Sequence, residues 1–146
     1  TLPVDTERTD IELSPDIPVQ SEETPRSDRH HSILIAEDVY ENYFLLETLF
    51  GKQYQLYHAL NGQEAIDMFE TYHPDLILMD IKMPVMDGFE ATRRIRTLSK
   101  TIPIIALTAF AFEREKEIAK QCEFTDYVVK PIDIKELKKL IVKVLA

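Results

Sequence analysis

From Ile33 to the end of the chain, short apolar runs alternate with stretches of helical period, and that rhythm leaves few architectures open. "ILIA" at 33–36, "YQLYHA" at 54–59, "LILM" at 76–79, "IIAL" at 104–107 and "YVV" at 127–129 read as strands. Helical spacing fills the intervals near 40–50, 62–72, 88–99, 111–121 and 134–145. In the second helical stretch Ala65, Ile66, Phe69 and Tyr72 share one face, and Asn61 with Glu64 three residues on forms a capping pattern. Asp133 and Glu136 repeat that pattern before the last stretch, where Leu137, Leu140, Ile141 and Val144 stand at core spacing. Five strands alternating with five helices predict an α/β fold, an open parallel sheet covered on both faces. Alternation alone does not fix the strand order.

Residues 1–32 differ from the rest. They hold four of the eight prolines, eight acidic residues and three basic ones, and no period of 2 or 3.6 persists. They read as an acidic, proline-containing linker, disordered from about Pro15 to Ser32, with 33–146 as the folded domain. His30 and His31 fall in this polar tail and read as part of the linker. A linker at the start, with no initiator Met, leads us to expect a fragment of something longer. The net charge of −9 argues against nonspecific duplex binding, which needs clustered Lys and Arg, so no nucleic-acid partner is expected. With Cys122 as the one cysteine, no intrachain disulfide can form, and no Cys/His spacing suits zinc. No apolar run approaches the roughly 18 residues of a membrane span, and the N-terminus lacks a signal-peptide core. The expectation is a soluble, cytoplasmic segment without direct membrane contact.

In open α/β sheets the ligand site lies outside the carboxyl ends of the strands. The first run leads into Glu37-Asp38, the third into Asp80, the fourth into Thr108 and the fifth into Lys130-Pro131. The second leads only into Leu60-Asn61. Each polar residue alone has a bland explanation, since an Asp often caps the next helix. Four strands delivering three carboxylates, a hydroxyl and an ammonium to one edge do not. Clustered carboxylates repel, and one stays protonated without compensation. A hard divalent cation relieves the repulsion, and an all-oxygen site with few protein ligands suits Mg²⁺. An aspartate beside Mg²⁺ and a lysine can accept a phosphoryl group as an aspartyl-phosphate. Thr108 and Lys130 can then each meet a phosphoryl oxygen.

These residues, with "LILMDIKMPVMDG", "ALTA" and Lys130-Pro131, resemble the receiver domain of bacterial response regulators over about Ser32 to Ala146. The resemblance implies a flavodoxin-like sheet of order 2-1-3-4-5. It implies Mg²⁺ held by Glu37, Asp38, Asp80 and the backbone carbonyl of Lys82. Asp80 would take a phosphoryl group from the phosphohistidine of a histidine kinase or phosphotransfer domain and lose it by hydrolysis. Thr108 would then shift and Tyr127, the aromatic three residues before the lysine, would rotate inward, repacking the face of the fourth helix, fifth strand and fifth helix. It leaves room for a weak dimer.

Two details resemble one kind of receiver. Asn42 lies four residues after Asp38, as in receivers fused to sensor kinases or acting in phosphorelays, and "TLP" at 1–3 resembles the close of a histidine-kinase ATP-binding domain. The expectation is the C-terminal receiver of a hybrid sensor histidine kinase, the whole protein anchored in the inner membrane, with no DNA-binding effector after the last helix. The alternatives are a stand-alone single-domain response regulator and a receiver-shaped interaction module that is not phosphorylated. One departure stands out: where the family usually has a Gly closing the fourth helix, this chain has Glu123. A haloacid-dehalogenase-type phosphatase would need an acid at the position of Lys82. A flavodoxin-like cofactor binder would need a Gly- and hydroxyl-rich loop in place of "AEDVYEN". The "EREKE" run reads as a solvated helix face, and Met79, Met83 and Met86 as packing residues.

Overall fold

The structure, a computed structural model, describes residues 31–109 and 113–146. Residues 1–30 of the expected linker, and the predicted start of the fourth helix at 111, lie outside the described residues. The elements run β1 (Ser32–Ala36), α1 (Tyr40–Phe50), β2 (Gln55–Ala59), α2 (Gly62–Tyr72), β3 (Leu76–Asp80), α3 (Gly88–Leu98), β4 (Ile104–Thr108), α4 (Glu113–Gln121), β5 (Asp126–Val129) and α5 (Ile134–Leu145). The strands form one parallel sheet in the order β2-β1-β3-β4-β5.

Every residue of β3 and β4 is buried, which is why these strands read as unbroken apolar runs. Alternate side chains supply two cores. Ile33, Ile35, Leu78, Ile105 and Leu107 pack with Tyr43, Leu46 and Phe50 of α1 and Leu137 and Ile141 of α5. Leu34, Ala36, Ile77, Met79 and Ile104 pack with Ala65, Ile66 and Phe69 of α2 and Ala91 and Ile95 of α3. Met83 and Met86 lie partly buried against the second core, in keeping with packing roles. β1 opens one residue before the first apolar run. The Ser32 amide donates to Asp75 Oδ2 at 2.8 Å, and the His31 carbonyl accepts from the Gln55 amide at 2.9 Å.

The predicted caps form. Asn61 accepts from the Glu64 amide at 2.8 Å, and Glu64 reaches back to the Leu60 amide at 2.9 Å. Asp133 accepts from the amides of Lys135 and Glu136. Tyr72, expected on the core face of α2, is instead 47% exposed, its ring stacked on Tyr57 of the edge strand. At the end of α4, Glu123 takes the left-handed conformation itself, with φ 65°. Among the described residues no helix is long and apolar enough to cross a membrane.

Candidate functional site

The sheet ends on its carboxyl side with acids on two adjacent strands. Glu37 follows β1 and is 1% exposed; Asp80 closes β3 and is 5% exposed. The loop after β1 does not spend its acids on capping. Val39 is the N-cap of α1 and makes no side-chain cap hydrogen bond, while Glu37 Oε2 accepts from the Val39 amide at 3.1 Å. The bland explanation for Asp38, a cap on the next helix, therefore does not hold. Carboxylate oxygens of Glu37, Asp38 and Asp80 all lie within 4.8 Å of one another.

Lys130 follows β5 and reaches past β4 into this cluster. Its Nζ stands 3.2 Å from Asp80 Oδ2 and 3.4 Å from Glu37 Oε1. One ammonium against three carboxylates leaves the cluster with an excess of negative charge. Burial, with Asp80 alongside, pushes the Glu37 carboxyl up to about 7, although the Val39 amide and Lys130 pull the other way. Burial also works against the charge on Lys130, but Asp80 and Glu37 outweigh it and hold its pKa above the ordinary lysine value. The donor set is hard oxygen throughout, which is the chemistry a small divalent cation takes and a soft metal does not.

The remaining predicted residues take separate places. Thr108 ends β4 and is buried, and its carbonyl accepts from the Lys130 amide at 2.7 Å, joining the two strand ends. The Lys82 amide donates to Asp80 Oδ1 at 3.4 Å. Tyr127 stands away from the cluster on β5, 36% exposed, with Lys116 Nζ 5.9 Å from its ring centre. The structure thus gathers Glu37, Asp38, Asp80 and Lys130, sets Thr108 beside them on the central edge, and leaves Tyr127 outside.

The "MPVMDG" segment explains itself by contact. A Cβ on Gly88 would collide with the Asp80 carbonyl oxygen, so only glycine lets α3 start against the end of β3. The Gly88 amide donates to the Ile81 carbonyl at 2.9 Å, and Asp87 caps α3 through the Glu90 amide. On the other side the Gly62 amide donates to the Met86 carbonyl at 2.9 Å. Between these anchors Val85 turns the chain with φ 69°.

Two residues whose side chains hold loops are not marked by the strand-end pattern: His58 at this end of the sheet and Arg96 at the opposite end, ahead of β4 and β5. His58 on β2 lies under α1, its Nε2 2.8 Å from the Glu37 carbonyl oxygen. The signal was the period of "QLYHA", which puts Leu56 and His58 on one face. Arg96 is 6% exposed, and its guanidinium donates to the carbonyls of Glu123, Ser99 and Ile102. Nothing in "ATRRIRTL" singles it out except its place beside Ile95.

At the end of the central strand of a 2-1-3-4-5 sheet, the buried Asp80 carboxylate is thus met by a lysine from two strands away. The chain belongs to the response regulator receiver domain family, which matches over residues 33–142. It is 38% identical over 114 residues to regulatory protein AtoC of Escherichia coli, covering 77% of this chain and only 25% of that protein. To sporulation initiation phosphotransferase F of Bacillus subtilis it is 34% identical over 117 residues, covering 80% of this chain and 94% of that one. Among solved structures, the receiver domain of sensor histidine kinase PA1611 from Pseudomonas aeruginosa, determined with a magnesium ion coordinated in its active-site cleft, superposes with a TM-score of 0.75 at 33% identity, covering 80% of this chain and 98% of that one. The receiver domain of Saccharomyces cerevisiae Ssk1, solved with the histidine phosphotransfer protein Ypd1, gives a TM-score of 0.73 at 31% identity, covering 78% and 88%. The fold and the family thus agree with two-component signal transduction.

Proposed function

We propose that this domain accepts a phosphoryl group on Asp80 from the phosphohistidine of a histidine kinase or phosphotransfer domain, in a reaction that requires Mg²⁺. The observation that carries the reading is the Lys130 ammonium 3.2 Å from a buried Asp80, inside a set of three converging carboxylates. Glu37, Asp38, Asp80 and the Lys82 carbonyl would hold the cation. When bound, it neutralises carboxylate repulsion and phosphoryl charge. An Asp80 oxygen attacks phosphorus, the P–N bond to the donor imidazole breaks, and the ring nitrogen keeps the electron pair. Lys130 and the Thr108 hydroxyl then each meet a phosphoryl oxygen. Such transfer needs positioning and charge neutralisation more than covalent help, and strand ends supply rigid positions. Hydrolysis of the acyl phosphate restores Asp80.

Exposed Tyr40, Phe44 and Leu45 on α1, 51–61% accessible, offer an apolar surface for the phosphohistidine partner. The link from Lys130 and Thr108 to β5 supports a switch in which Tyr127 turns inward and alters the α4-β5-α5 face. The likeness to a sensor-kinase receiver and the place of Asn42 favour a hybrid histidine kinase as the whole protein. The nearly full-length match to sporulation initiation phosphotransferase F favours a stand-alone regulator as the second reading.

Intact-mass measurement after incubation with acetyl phosphate and Mg²⁺ tests the central claim. One added phosphoryl group is expected on the parent and none on Asp80→Asn, whose amide keeps the shape but not the nucleophile. Equal labelling of both overturns the assignment.

A further inference from the structure

β2 sends no carboxylate to the site, yet one of its side chains holds the acidic loop from below. His58 pairs with Ile35 in register and therefore faces α1. Its ring lies flat against Tyr43, with ring centres 3.7 Å apart and planes 1° from parallel. Tyr43 is itself buried, 7% exposed, so the imidazole plane is fixed by packing. A carbonyl oxygen only accepts, so the Nε2 that lies 2.8 Å from the Glu37 carbonyl is the protonated nitrogen.

The position of that bond matters. β1 ends at Ala36, and the Glu37 amide still donates to the Ala59 carbonyl at 3.0 Å. Beyond Ala59 the chain leaves the sheet for α2, whose N-cap is Asn61. The next carbonyl of the acidic loop, that of Glu37, takes its hydrogen bond from the His58 side chain instead. This carbonyl belongs to the peptide joining Glu37 to Asp38. Its orientation sets the direction in which Asp38 leaves the sheet.

We infer that His58 is a positioning residue for the cation: its Nε2–H fixes the Glu37–Asp38 peptide, and the Tyr43 stack fixes His58. The acid pair then meets the cation in a preset orientation, as groups behind metal ligands commonly arrange. The inference rests on the proposed role of Glu37 and Asp38 as cation ligands.

Two substitutions separate the hydrogen bond from the packing. His58→Phe keeps a flat ring for Tyr43 and loses the donor. His58→Gln keeps an N–H donor and loses the ring. Each 146-residue protein is titrated with MgCl₂ and followed by backbone amide shifts. In the parent, the amides of Glu37, Asp38 and Asp80 are expected to move with Mg²⁺. In His58→Phe the dissociation constant is expected to rise about tenfold, and the Glu37 and Asp38 amides to differ from the parent before any Mg²⁺ is added. His58→Gln should fall nearer the parent in both readouts. A packing role alone would rank the variants the other way, with Phe nearer the parent, and would overturn the inference. So would a His58→Phe protein with the parent's affinity and the parent's cation-free shifts. A parent whose amides ignore Mg²⁺ would instead overturn the cation reading of the whole acidic edge, and this inference with it.

Discussion

Glu37 is an acid that the folded protein prefers to keep protonated. Burial and the neighbouring Asp80 lift its carboxyl from the ordinary 4.5 to about 7. Between those values the unfolded chain has released the proton and the folded chain has not, so raising the pH favours the unfolded state. With divalent cations chelated, stability should fall as pH rises from 4.5 to about 7 and level off above. Denaturant unfolding across that range measures the slope, and Glu37→Gln should flatten it. A parent and a Gln variant with the same slope would contradict this account of the carboxyl. A second single-residue case lies at the end of α4. Glu123 occupies φ 65°, where an L side chain is disfavoured by roughly 1–2 kcal/mol. Glu123→Gly should raise stability by about 1 kcal/mol, since glycine takes this conformation freely but loses more entropy on folding. Arg96 keeps its bond because it meets the Glu123 carbonyl, not its side chain. An unchanged melting temperature would mean that the left-handed turn carries little strain.

At the scale of elements, β5 is a four-residue edge strand tied to the site twice. The Lys130 amide donates to the Thr108 carbonyl, and the Lys130 side chain meets Asp80 and Glu37. Lys130→Ala removes the second tie and leaves the first, so the strand should stay in the sheet. The variant is expected to fold and accept phosphoryl groups more slowly, with Tyr127 staying in its resting environment. Amide shifts around Tyr127 and α5, with and without beryllofluoride, check this; a full parent-like response in the variant would remove Lys130 as the coupling element. The same elements show what the sequence makes legible. β1, β3 and β4 are buried on both faces, so their apolar runs stop visibly at Glu37, Asp80 and Thr108, and most of the site could be listed by residue. β2 is a half-exposed edge, where a histidine looks like solvent-facing polarity. Its role depends on register with Ile35 and on Tyr43, which arrive from other elements. Arg96 is illegible for the same reason: it differs from exposed Arg93 and Arg94 by the carbonyls that tertiary packing brings to it. Strand order came from the family resemblance, since alternation of strands and helices is shared by several orders.

For the molecule as a whole, the acidic edge opposes folding until its charge is compensated. Any cation that binds only the folded site stabilises it, and at ten times its dissociation constant adds about 1.4 kcal/mol. Mg²⁺ should therefore raise the melting temperature of the parent by a few degrees, and Asp38→Ala should lose most of that gain. A parent indifferent to millimolar Mg²⁺, or a variant shifted equally, would contradict the proposed ligand set.

The segment from Ile81 to Asp87 connects a strand to a helix on the protein surface, a setting in which extra residues are usually absorbed without harm. Here both of its ends are clamped. The Gly88 amide closes on the Ile81 carbonyl, the Gly62 amide grips Met86, and the Asp80 carbonyl sits where a Gly88 side chain would be. The segment acts as a gauge of fixed length between Asp80 and the first turn of α3. An insertion or deletion within it would move that turn relative to Asp80, so length variation at this surface loop should be as poorly tolerated as in a core strand.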